Sequence, residues 1–167
     1  MGVPDPPAHT SSDPTVPDAP ALVYAFEARV DVGPIIDVGE VTGGRRRVIP
    51  ILGGTFEGPR LRGRVLPGAD WQVVHHGTLT ELVARYLLET DTGTLVAIVN
   101  RGLRHASPEV LARMASGETV DPSLVYFRTV ATFESADPSL AWLTRSIVLG
   151  SGERQASQVV IRFWTVS

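Results

Sequence analysis

The stretch GGTFEGPRLRGRVLPGADW, residues 53–71, holds five glycines, two prolines and three arginines at alternate positions. A plain core strand needs neither so much backbone freedom nor so much charge. Read as a strand, Arg60, Arg62 and Arg64 share one face, while Leu61, Gly63 and Val65 share the other. Two readings stand. The arginines form a solvated face over an apolar one, or at least one of them enters a barrel interior as an anion clamp. A buried guanidinium needs a carboxylate or a ligand beside it. Gly53-Gly54 and Gly58-Pro59 flank Phe56 and Glu57 and permit the bulges or sharp bends that a barrel needs at its corners. The stretch reads as a barrel corner whose tip faces a cavity.

The segments around it carry a matching pattern. In ALVYAFEARVDV (21–32), Leu22, Tyr24, Phe26, Ala28 and Val30 lie on one face, and Glu27, Arg29 and Asp31 on the other. That period of two marks a half-buried strand. Further strand-like runs occupy 33–41, 42–54 (ending at the two glycines), 71–77, 79–90, 94–102, 123–134, 143–150 and 157–166. TDTG (90–93) is a hairpin turn, with Gly93 free to take positive φ. About eight to ten strands at regular spacing predict a mainly β chain. A closed antiparallel barrel is favoured over a sandwich because closure removes the edges. One segment departs from the pattern. Ser107, Pro108 and Glu109 open a short helix near 107–116 that stops at Gly117 and covers one end of the sheet. A short turn is expected at DPSLAW (137–142). Residues 1–19, rich in Pro, Asp, Ser and Thr, read as a disordered tail with no role for His9, and 20–167 as one β-barrel domain.

Composition excludes several chemistries. The chain has 167 residues, 43% of them apolar, and a formal net charge of −3. That suits one globular domain and does not suggest a nucleic-acid surface. No apolar run reaches the length of a membrane span and no signal-peptide pattern opens the chain, so a cytoplasmic protein is expected. There is no cysteine, hence no disulfide and no thiolate. All fifteen basic residues are arginine. Without lysine there is no Schiff base, no pyridoxal phosphate anchor and no phosphate-loop lysine. Neither a dinucleotide fingerprint nor a nucleophile elbow is present. No cofactor and no metal are expected, because His75, His76 and His105 offer too few convergent ligands.

Several residues could carry chemistry. Asp70 follows a Pro-Gly turn, where it caps the turn or acts as a carboxylate base whose pKa rises with desolvation. Trp71 packs the core or walls a pocket. His75 or His76, but not both, points inward, where a His can move a proton near neutral pH. Tyr86 shares a face with Leu82, Ala84 and Leu88, so it is core or a hydroxyl donor to an enolate oxygen. Asn100 and Arg101 point to opposite faces, and one of them faces in to hold a carbonyl or carboxylate. Tyr126 and Arg128 share one strand face, with Phe127, Thr129 and Phe133 on the other.

Three blocks carry a resemblance. PILGGTFEGPRLRGRVLPGADWQ (50–72), ARYLLETDTGTLVAIVNRG (84–102), and YFRTVATFE followed by AWLTR and GSGER (126–154) resemble the bacterial DUF3237 family, also called UPF0311. The resemblance spans roughly residues 20–166. It implies a small antiparallel barrel broadly like those of allene oxide cyclases and dirigent proteins, and it implies little about chemistry. Val83, His76 and Thr144 stand where the family pattern has an acidic residue, often an acidic residue, and an asparagine. These departures suggest a specialised relative with a more apolar or differently charged pocket, or one that has lost catalysis.

The expectation is a cofactor-independent cyclase or isomerase, or else a lyase, working on a hydrophobic carbonyl- or carboxylate-bearing intermediate, in bacterial secondary metabolism. Asp70 or His75 would be the acid/base, Tyr86 the donor, and Arg101 and Arg128 the anchors. Asn100, Tyr126, Phe56, Trp71 and Phe133 would complete the substrate site. The alternative is a non-catalytic ligand carrier or an oligomeric structural barrel, with Val160, Arg162 and Trp164 as an interface between copies.

Overall fold

The computed structural model describes residues 17–167. The expected tail lies, up to residue 16, outside the described residues, and His9 with it. The strands are β1 (Leu22–Val32), β2 (Ile36–Val41), β3 (Gly44–Glu57), β4 (Arg62–Val65), β5 (Gly68–His75), β6 (Leu79–Thr90), β7 (Leu95–His105), β8 (Tyr126–Glu134), β9 (Val148–Arg154) and β10 (Gln158–Val166). Helix α1 (Pro108–Ala115) lies between β7 and β8, and α2 (Ala141–Thr144) between β8 and β9. Every strand pairing is antiparallel, and β1 closes the sheet by pairing with both β10 and β3.

Ten strands make an eight-strand barrel for two reasons. β4 and β5 occupy one place between β3 and β6, interrupted at Leu66-Pro67, where Leu66 N–H still donates to Leu87 C=O at 2.8 Å. β2 stands outside the closed ring, as a hairpin on the first half of β3. Contrary to the sequence reading, β3 does not end at its glycines. It bends there, pairing with β2 and β5 before the bend and with β1 and β4 after it. Gly54 makes this bend feasible: its φ is +134°, and a Cβ there would stand 2.0 Å from Arg29 C=O.

Alternation decides which residues enter. β8 reads exposed-buried without interruption, sending Phe127, Thr129, Ala131 and Phe133 inward. β6 sends in Leu82, Ala84, Tyr86 and Leu88. The lower half of the barrel is apolar. Phe26 lies 4.8 Å from Phe163, 5.7 Å from Phe56 and 5.9 Å from Phe133 between ring centroids. Leu140, in the turn expected at DPSLAW, and Leu143, in helix α2 that follows it, cap that end.

The helix over 107–116 forms as read, with Val110 N–H donating to Ser107 Oγ and Gly117 at φ +84°. It stands at the other end, where Met114 shares a cleft with Gly152, Glu153 and Arg154. The three alternating arginines take the solvated reading. Arg60 lies before β4 and stacks over Trp142 at 4.2 Å, while Arg62 and Arg64 pair with Asp91 at 2.9 Å and Glu89 at 2.6 Å. None of the three enters the barrel, because Leu61, Gly63 and Val65 fill the inward face. Of the stripe Val160, Arg162 and Trp164, Val160 is only 1% exposed while the other two are half-buried. No helix among the described residues is long and apolar enough to cross a membrane.

Candidate active site

The upper half of the barrel is polar inside. Across the sheet, Asp70 of β5 faces Ala84 of β6, Ala84 faces Asn100 of β7, and Asn100 faces Ala131 of β8. The two alanines keep the space around Asn100 open. One step deeper lie Tyr86, Ile98 and Phe133 in register. One step toward the mouth lie Gln72, Leu82, Gly102 and Thr129, and beyond them Thr80, Arg104 and Phe127. Arg154, at the end of β9, completes the rim.

Of these, Asp70, Gln72, Leu82, Ala84, Tyr86, Asn100, Arg104, Phe127 and Arg154 line a cavity with about 30 Å³ of room for the centres of water-sized spheres. That is space for about two waters. Val30, Val32, Ile49, Val159 and Ile161 supply its apolar wall.

A chain of hydrogen bonds organises the acid. Arg47 Nε donates to Gln72 Oε1 at 2.8 Å, and Gln72 Nε2 donates to Asp70 Oδ2 at 2.6 Å. Asp70 Oδ1 is buried without a hydrogen-bond partner in the protein, as are Tyr86 Oη, both amide atoms of Asn100, Thr129 Oγ1 and Arg154 Nη1. Buried polar atoms are nearly always satisfied, so the gathering of Asp70, Tyr86, Asn100 and Arg154 at one cavity makes it the candidate site.

The charges are strongly perturbed. Burial raises the Asp70 pKa above the ordinary carboxylate value, against the Gln72 hydrogen bond and the charges of Arg104, Arg47 and Arg154. Burial also raises the Tyr86 phenol, with Asp70 adding to the effect, so Tyr86 stays protonated and can donate. Arg104 is pushed down to about 10 by burial and then by Arg47 and Arg154. Arg47 and Arg154 are lowered for the same first reason.

The expected site residues divide. Asp70, Tyr86 and Asn100 meet in the cavity. Phe56 and Phe133 face inward but belong to the packed lower half. The strand period places the others outside. Trp71 alternates with Asp70 and Gln72 and is 50% exposed. His75 is on that outer face too, with Nε2 3.4 Å from Glu81 Oε1. His76 sits in the β5–β6 turn at φ +48°. Arg101, Tyr126 and Arg128 line a shallow groove on the outside with Val83, Leu103 and Val130. The Arg128 guanidinium lies 5.5 Å from the Tyr126 ring. Arg101 and Arg128 are therefore not interior anchors, because Asn100 and Thr129 hold the inward positions beside them. Val83 shares the outer face with Arg85, so that departure alters the surface and not the cavity.

Arg47, Gln72, Arg104 and Arg154 went unread in the sequence. A signal existed. Once Asn100 faces in, Gly102 and Arg104 follow at the strand period, and Gly150, Gly152 and Arg154 repeat the spacing.

With the cavity described, relatives can be placed. A sequence model of the family described as "protein of unknown function (DUF3237)" matches residues 20–166. The chain belongs to the DUF3237 family. It is 43% identical over 139 residues to a UPF0311 protein of Rhodopseudomonas palustris (strain TIE-1), covering 83% of this chain and 91% of that one. A Clostridium acetobutylicum UPF0311 protein is 36% identical over 146 residues, 87% of this chain and 92% of its own. Among solved structures, a conserved protein of unknown function from R. palustris matches this DUF3237 chain with a TM-score of 0.85 at 39% identity, over 90% of this chain and 100% of that one. A beta-barrel like protein from Acinetobacter baumannii gives 0.79 at 39% identity over 92% and 99%. An enzyme from Penicillium herquei gives 0.69 over 92% and 98% at 16% identity, a likeness of fold alone.

Proposed function

We propose that this DUF3237 protein is a cofactor-independent enzyme, a cyclase or isomerase that does acid/base chemistry on a hydrophobic intermediate bearing a carbonyl or carboxylate. The observation that carries this reading is the unpartnered Asp70 Oδ1, held in a desolvated carboxylate beside the unpartnered Tyr86 hydroxyl and Asn100 amide. Gln72 occupies Oδ2 and leaves Oδ1 free for substrate.

In this reading Asp70 Oδ1 removes a proton from carbon next to the substrate carbonyl. The electron pair moves onto the carbonyl oxygen, which accepts hydrogen bonds from the Tyr86 hydroxyl and the Asn100 amide N–H. The protonated Asp70 then returns the proton to a different atom, which isomerises the substrate. Alternatively, the enolate carbon closes a ring on a second carbonyl of the same molecule, and Asp70 protonates the new alkoxide. The barrel wall contributes by holding one reactive conformer. The enzyme character of the P. herquei protein agrees with a barrel of this kind hosting catalysis, without fixing the reaction.

The test is proton exchange. Aryl alkyl ketones are incubated with the protein in D2O and their α-hydrogens are followed by NMR. Exchange above the buffer rate that disappears in Asp70→Asn and falls in Tyr86→Phe is the expected result. Ketones that raise the melting temperature yet never exchange would replace this reading with that of a ligand carrier, whose apolar lower half serves only as a plug.

A further inference from the structure

The cavity holds an imbalance of charge that the acid/base reading does not use. Arg104 and Arg154, which line it, feel one acid, Asp70, and the further positive charge of Arg47, which itself feels Asp70 and Asp37. Among the described residues, no carboxylate lies within 4.0 Å of any of the three. The chain is not short of acids: it has eighteen, and pairs Arg62, Arg64, Arg113 and Arg162 with them on its surface. An interior that carries uncompensated cations while the surface is paired is built to receive an anion.

The three arginines have different tasks. Arg47 is engaged through Nε with Gln72, which positions Asp70. Arg104 is 9% exposed and lies at the cavity's rim, and Arg154 Nη1 is buried without a partner. Both line the cavity, with Asn100 below them. The free room suits the carboxylate and carbonyl oxygens of a ligand, whose apolar part stays at the mouth, level with Arg104 and Arg154.

We propose that Arg104 and Arg154 form a carboxylate subsite, and that the compound this barrel takes is a hydrophobic keto acid. Its carboxylate lies on the two guanidiniums. Its carbonyl lies a few bonds away, over Asp70, Tyr86 and Asn100. Its apolar part rests against Val32, Phe127 and Val159. This deepens the acid/base reading and rests on it for the orientation of the carbonyl.

The test compares 4-oxo-4-phenylbutyrate with its methyl ester by calorimetry and thermal shift, on the wild type, Arg104→Met, Arg154→Met and Asp70→Asn. The acid is expected to bind and the ester to bind at least thirtyfold more weakly. Each arginine variant is expected to weaken the acid by roughly thirtyfold or more, the ordinary consequence of truncating one partner of a buried charge pair. Asp70→Asn is expected to act in the opposite direction, tightening the acid by about tenfold by removing one nearby negative charge. A purely structural role for the arginines would not produce that opposition of sign. Equal binding of acid and ester overturns the subsite, as does acid binding that survives both arginine variants in folded protein. Failure of the acid to bind at all also overturns it. Exchange with neutral ketones reports on Asp70 and Tyr86 and not on the two arginines, so the subsite can fail while the acid/base reading stands, and the reverse.

Discussion

Two sets of three arginines stand toward opposite ends of the barrel, beside Glu89 and beside Thr80 of the same strand β6. Arg60, Arg62 and Arg64 lie outside, one stacked on Trp142 and two paired with carboxylates in water. Arg104 lies inside, with Arg47 and Arg154 half-buried beside it, all three acted on by Asp70 and with lowered pKa values. The outer set costs the fold almost nothing and contributes little, because water screens exposed pairs. The inner set is held against its desolvation cost. A feature that opposes stability in a well-packed interior is the kind that function retains. The contrast therefore locates the site more sharply than the abundance of arginine in the opening stretch does.

The largest effect that would sharpen this contrast lies at Asp70. Asp70→Asn should lower any α-proton exchange by about 10²–10⁴-fold, the usual contribution of a positioned general base. The exchange rate in wild type should fall as pH drops through the raised pKa of Asp70, at a higher pH than an ordinary carboxylate would show. The sign for stability is opposite to that of a paired surface acid. A raised native pKa means that the folded state binds the proton more tightly. The stability Asp70 contributes is then full below its unfolded value and is lost as pH rises through its folded value. Asp70→Asn should flatten this slope in denaturation curves taken between pH 3 and 8, and should not lower stability at pH 7. A variant less stable than wild type at pH 7 would mean that the Gln72 and arginine contacts outweigh burial.

The apolar half of the barrel sets a reference for what ordinary packing is worth. Phe163 is fully buried between Phe26 and Phe133. Phe163→Ala should cost about 3–5 kcal/mol in urea denaturation, as transfer and cavity terms add. The inner arginines should behave the opposite way. Arg104 at about 10 instead of 12.5 corresponds to a cost of up to about 3 kcal/mol at neutral pH, fully present there because the group is charged in both states. Arg104→Met should recover part of it, less whatever the Phe127 contact at 5.8 Å contributes. A higher urea midpoint together with lost carboxylate binding is the expected pair of results. A destabilised Arg104→Met would make that arginine structural and dissolve the contrast between the two sets.

Much of the fold was legible because alternation and turn residues report directly on a sheet. Phe26 to Val30, the β6 run and the Ser107 helix start all follow local rules, whereas a bulge between Tyr24 and Phe26 takes Leu22 and Tyr24 off the inward face read for them and leaves them exposed. The bend within β3 did not, because two glycines read equally as a strand end and as a bend, and only the pairing with both β1 and β5 separates these. The site was legible in part. Asp70, Tyr86 and Asn100 were singled out by residue type and turn context. Arg101, Arg128, Trp71 and His75 fell on the wrong side of the sheet for one reason: a period of two names the two faces without saying which is interior. The decision belongs to neighbouring strands, since Asn100 enters only because Ala84 and Ala131 on either side leave it room. Arg104 and Arg154 were hidden by the same ambiguity, one residue pair away from residues that were read.

The smallest expected effect closes the comparison from the outside. Arg62 and Arg64 reach Asp91 and Glu89 from β4, and both arginine side chains are 68% exposed. Their methylenes cover little of the core, since Leu61 and Val65 fill the inward face between them. Arg62→Ala and Arg64→Ala, singly or together, should leave the urea midpoint within the scatter of replicate measurements, and keto-acid binding unchanged. High salt should change nothing further, because at such exposure screening has already removed most of the attraction. A double variant that unfolds early would show that β4, a strand of four residues, depends on its outer ion pairs to hold its place between β3 and β6. The outer arginines would then carry the barrel's closure, and the distinction between a silent outside and a purposeful inside would fail at the stretch where the chain is richest in charge.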